Sequence, residues 1–168
     1  MADTPPIHDA AELTRYIEAR YHARHREQLP VLAAMAGKVE SVHAGSDGVP
    51  KGLSGLLHRM IGEMEVHMKK EELILFPAIR KGGGPGIENP IAVMRADRDS
   101  HALEVAEIRR LTGGLTLPAG ACGTWTRLYE GIAGFVEDLT EHMRLENDVL
   151  FPQFEPGSVA GAGNERTE

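Results

Sequence analysis

HMKKEELILFP at residues 67–77 and HMRLENDVLFP at residues 142–152 are two copies of one pattern. Each opens with His-Met and a basic residue and places Glu four positions after the His. Each closes on a β-branched residue, Leu, Phe and Pro at the same offsets. On an α-helix four residues turn through about 400° and rise about 6 Å, so a His and a Glu at that spacing project from one face, one turn apart. The copies therefore present two imidazole–carboxylate pairs, His67 with Glu71 and His142 with Glu146. Two such helices facing each other bring both pairs to one point, which is the donor set for a pair of iron or manganese ions in a helix bundle. One copy alone reads equally well as an exposed helical pair worth roughly 0.2–0.5 kcal/mol. Two matched copies, each flanked by apolar residues that should face a core, favour the metal site.

Outward from these copies the chain divides into four helical stretches. Asp9 can cap a first helix, with Glu12 three residues later, and Leu13, Tyr16, Ile17 and Tyr21 follow a helical period. The period resumes after Pro30, which predicts one long helix to about His43, kinked near residue 30. AGSDGVPKG (44–52) is a connection by composition. A second helix is expected over about 53–79, ended by KGGGPG (81–86), a third over 90–112 and a fourth over 119–150. With no convincing strand, the expected fold is all-α, an up-down-up-down four-helix bundle over residues 9–154. Flexible tails are expected at 1–8 and 155–168. Trp125, Tyr129, Phe135, Phe76 and Phe151 are expected to pack the core and its ends.

At 168 residues the chain suits a single domain. No apolar run approaches the roughly 18–20 residues that span a bilayer, so no membrane partner is expected. The start, MADTPPIHDAAEL, lacks a basic and then apolar leader, and the expected compartment is cytoplasmic. A single cysteine, Cys122, excludes an intrachain disulfide and cannot alone hold an iron–sulfur cluster, so any metal must be held by His and carboxylate. The net charge of −7 argues against a nucleic-acid partner. No acid–base pair, nucleophile or organic-cofactor motif appears, which leaves enzymatic turnover open.

The first and third helices must complete the site. RYHARH offers His22 and His25, three apart; one is expected to be a ligand and the other a surface histidine. His22 stands 45 residues before His67, whereas Arg98 stands 44 before His142.

The chain resembles the hemerythrin-like di-iron domain of the repair-of-iron-centres family. The resemblance is carried by RYHARHREQLP (20–30), KVESVHAG (38–45), VPKGL (49–53), NPIAVM (89–94), ACGTW (121–125) and the two copies already quoted. It covers most of residues 12–154. It implies two non-haem iron ions joined by an oxo or hydroxo bridge and by Glu71 and Glu146, with His22 and His142 on one ion and His67 on the other. It further implies a cytoplasmic protein of the nitric oxide and oxidative stress response, with nitric oxide or dioxygen as the small ligand. Such a protein acts on damaged iron–sulfur proteins, repairing their clusters by iron donation or nitric oxide handling. The alternative is a hemerythrin-like oxygen or redox sensor, or a binding module with a weakened metal site. The family's cysteine-bearing N-terminal segment has no counterpart in these residues.

The family's fourth histidine falls on Arg98, a guanidinium with no lone pair for a metal. His101, about 4.5 Å along the axis and roughly 60° around the helix, is the expected replacement if the helix shifts or bends. If it does not serve, the second iron is weakly held. Asp97 and Asp99 are poorer substitutes, and Glu63 is expected near the metal or on its access path.

Overall fold

The computed structural model describes residues 4–156; the remainder of the two expected tails, 1–3 and 157–168, lies outside the described residues. Helix α1 occupies residues 10–42, as Ala10–Ile17 and Ala23–Val42 on either side of a π turn, Glu18–His22. Helix α2 occupies residues 53–80, with a π turn at Glu71–Leu75 between Leu53–Lys70 and Phe76–Arg80. Helix α3, Glu88–Leu111, is α-helical throughout. Helix α4, residues 123–150, is α over Gly123–Arg144 and π over Leu145–Leu150, then passes into a 3₁₀ turn at Phe151–Phe154. No strand occurs among the described residues.

The ends of the helices follow from local chemistry. The Asp9 carboxylate accepts from the backbone N–H of Glu12, as the sequence predicts. Helix α2 is capped from a neighbour: Glu40 of α1 accepts from the backbone N–H groups of Gly52 and Ser54 at 2.7 and 2.8 Å. Its far end stops at Gly82 and Gly83, both at positive φ, whose N–H groups bond back to Ile79 and Ala78. A side chain at Gly83 would meet the ring of Phe154 at 3.0 Å, so this turn admits the C-terminal segment only because it is bare. Pro30 lies inside the α-helical run Ala23–Val42, and the departure from α geometry in α1 falls earlier, at residues 18–22, not near 30 as expected. The fourth helix starts at Gly123, not Ala119, and Glu155 is no free tail, being bound by Arg95 of α3.

The π turns of α2 and α4 also have a cause in the sequence. Each copy of the repeat ends in Phe-Pro, and a proline ring clashes with the carbonyl four residues back. Those carbonyls belong to Leu73 and Asp148, both inside π turns. The widened turn shows in the bonds from Phe76 to Glu71 and from Phe151 to Glu146, each spanning five residues.

Buried apolar side chains form two clusters. The larger holds Leu29, Leu57, Met60, Met64, Trp125, Tyr129 and Phe135; the smaller holds Leu13, Ile17, Phe76, Ile91, Leu145 and Phe151. All five aromatic residues assigned to packing are thus buried in one or the other. The three π turns lie where one cluster gives way to the other, and there the buried side chains become polar.

Candidate metal centre

In that polar layer the two copies face each other. Nε2 of His142 lies 2.7 Å from Glu146 Oε2 and 3.9 Å from Glu71 Oε1. Nε2 of His22, from α1, lies 3.0 Å from the same Glu71 oxygen. Donor atoms of His22, Glu71, His142 and Glu146 all fall within 4.8 Å of one another, and all four residues are buried. His67 adjoins them, with Nε2 at 3.3 Å from Glu71 Oε1 and 3.8 Å from Glu146 Oε1. His101 of α3 is buried beside it, the two rings edge to face with centroids 5.0 Å apart. The π turns deliver the key groups: His22 closes the first, Glu71 opens the second and Glu146 stands second in the third.

In the tautomer that frees Nε2 to bind a metal, each imidazole carries its proton on Nδ1 and donates from there to an outer partner. His22 donates to Glu72 at 2.8 Å, His67 to Asp97 at 3.0 Å and His101 to Glu104 at 3.3 Å. His142 instead donates to Nε2 of His25 at 3.0 Å. Such partners fix ring orientation and tautomer in metal sites. Glu72 is itself held by both ends of the Arg26 guanidinium, at 2.8 and 3.0 Å.

Burial of so many ionisable groups sets strong electrostatics. Burial opposes a charge on His67, but the carboxylates of Glu71 and Glu146 outweigh it and push its pKa up to about 12. His22 is raised likewise, burial being overcome first by its bond to Glu71. Burial would raise Glu146, yet the neighbouring His142 leads the groups that hold it well below the ordinary carboxylate range. His25 has no carboxylate bonded to it: burial, and then His142, push it down to about 2 against a smaller opposing effect of Glu146.

The donor set fits a di-iron centre. Oε2 of Glu71 and Nε2 of His101 are buried with no hydrogen-bond partner, and Nε2 of His67 has only the glutamate oxygens at more than 3 Å. Buried polar atoms left unmatched carry a free-energy cost that a cation would remove. Imidazole nitrogen with carboxylate oxygen suits iron.

The family model for the hemerythrin HHE cation binding domain matches residues 15–154. The chain belongs to this family. Curated proteins similar to this hemerythrin domain include the iron-sulfur cluster repair protein YtfE of Yersinia pseudotuberculosis (strain IP 31758) and that of Yersinia pestis (strain Pestoides F). Each is 48% identical over 141 residues, which cover 84% of this chain and 64% of the relative. The chain thus spans just under two thirds of the length of these relatives.

In this hemerythrin domain the sequence-predicted residues fall into place unevenly. His22, His67, Glu71, His142 and Glu146 meet as expected, and His101 faces inward beside His67. Arg98 is exposed on the rim of a cleft between α3 and α4. His25, expected as a surface histidine if His22 is the ligand, is fully buried against His142. Asp97 is the acceptor for His67 rather than a substitute for Arg98. Glu63 shares a hydrogen bond with Glu104 and lines a cleft of about 890 Å³ between α2 and α3, which reaches His67 and His101. The outer partners Glu72, Glu104 and His25 had one signal in the sequence, a titratable residue one or three places from a candidate ligand.

Proposed function

We propose that this hemerythrin domain holds two iron ions, one between His22 and His142 and one between His67 and His101, with Glu71 and Glu146 shared. The supporting observation is the convergence of both copies of the repeat on one buried point, with donor atoms left unmatched. Such a pair supplies a redox-active centre that takes up small ligands such as nitric oxide or dioxygen. The chain's own contribution is to exclude bulk water with two apolar clusters, to set two carboxylates against the cationic charge and to hold each imidazole by an outer bond.

The reading extends to the repair of iron–sulfur clusters, the role that the relatives' names state, and to a cytoplasmic location. Repair by iron donation is favoured over ligand handling alone by the cleft that reaches His67 and His101, where the carboxylates of Glu63, Asp97 and Glu104 outnumber the cations Arg59 and Lys70. Anaerobic purification followed by an iron count, and then transfer to an apo iron–sulfur acceptor, tests it. Two ions per chain, with release to the acceptor, are expected. Reversible dioxygen binding without release would favour a sensor instead.

A further inference from the structure

Resting on that reading of the site, we propose that His25 is a positioning residue that holds His142 to its metal position and makes the two positions electronically unequal. His25 is fully buried, and its ring lies 5.1 Å from that of His142 at 26°, with the 3.0 Å bond from His142 Nδ1 to its Nε2. Tyr21 stacks on His142 at 5.7 Å, and Phe135 meets His25 edge-on at 5.4 Å. His142 is thereby fixed both by ring packing and by one hydrogen bond.

The other three imidazoles donate to carboxylates. A carboxylate brings negative charge to the outer nitrogen and makes the inner one a stronger donor. Neutral His25 brings none, and the charge on Glu72, behind His22, is shared with Arg26. The His22 and His142 position therefore receives less negative charge than the position backed by Asp97 and Glu104.

When His142 gives Nε2 to a metal, its proton stands on Nδ1 and His25 accepts it at Nε2, which leaves the proton of His25 on Nδ1, buried without a hydrogen-bond partner. An unmatched buried donor is destabilising, and an apolar residue in the same space would avoid it. A histidine that only filled space would carry this cost for nothing.

The test compares the iron-loaded wild type with His25→Leu, His25→Gln and His25→Glu, by iron count, chelator competition and midpoint potential. His25→Leu is expected to weaken one ion by roughly 10–100-fold. Its metal-free form exchanges one unmatched buried N–H, on His25, for another, on His142, and should melt close to wild type. His25→Gln, which keeps an acceptor, restores wild-type affinity. His25→Glu lowers the midpoint potential, because added negative charge favours the oxidised pair. Equal iron affinity in His25→Leu and wild type overturns the proposal, as does equal weakening in His25→Leu and His25→Gln. If His25→Leu does not fold, an unchanged potential in His25→Glu overturns it. A wild type that takes up no iron would instead overturn the reading of the site itself.

Discussion

The imidazoles of His67 and His101 stand edge to face across the gap between α2 and α3, 5.0 Å between centroids and 80° between planes. His101 therefore lies where a second donor for the His67 position is needed, while Arg98, one turn earlier, is exposed. We expect His101→Ala to lose the iron beside His67, leaving about one ion per chain, and Arg98→His to leave the stoichiometry unchanged. Iron titration into the three metal-free proteins checks this. Tighter iron in Arg98→His would show the position beside His67 to be short of a ligand.

Glu71 approaches His22, His67 and His142 with a single oxygen, at 3.0, 3.3 and 3.9 Å. On the proposed reading, a carboxylate so shared would serve both ions. Glu71→Ala and Glu146→Ala should each abolish the magnetically coupled pair, whereas loss of any one histidine should spare one ion. Mössbauer spectra of the loaded variants separate the two results.

Chelation should lower the melting temperature. A ligand at 100 times its dissociation constant adds about 2.7 kcal/mol, which for a domain of this length is a shift of roughly 5–10 °C. Calorimetry with and without a chelator measures it, and an unmoved transition would place the metal outside the bundle.

Iron uptake should release protons. In the metal-free protein His67 titrates near 12, well above its ordinary value, so it holds a proton at neutral pH that a metal must displace. The sign follows from linkage: the ion pair of protonated His67 stabilises the metal-free fold fully below the unfolded pKa of about 6.5 and is lost as pH rises towards 12. Metal-free stability should therefore fall with rising pH across that window while iron affinity rises. An indicator dye in weakly buffered solution at pH 8 should report at least about one proton per chain on loading.

The helices and the paired carboxylates were legible because both obey a local period: four residues make one turn, and the repeat states the pattern twice. Whether His101 or Arg98 faces the site is not legible, because only about 60° of helix rotation separates the two positions, and the register of a helix against its neighbours is set by packing, which no local pattern encodes. His25 was hidden by its neighbours. It stands between Arg24 and Arg26, which suggests a solvated face, yet Arg26 turns to Glu65 and Glu72 and Arg24 to Asp138. The π turns of α2 and α4 have no local signature either, because a five-residue bond is chosen by the clash at Pro77 and Pro152 and by the bundle around it, not by any propensity of Glu71–Leu75.

The smaller apolar cluster is joined to the larger one across a layer of charged side chains, and three of the four helices lose their regular hydrogen-bond register in crossing it. We expect such a seam to divide the molecule into two cooperative units whose coupling depends on what fills the layer. With the cation in place the seam is cemented; without it, imidazolium and carboxylate groups share a space built for another occupant. Amide exchange should then quicken first in the unit carrying Leu13, Ile17, Ile91 and Phe151, before any change around Trp125. Iron release in this domain would be a partial melting of one end, and the rate at which an acceptor is supplied would track the frequency of that opening.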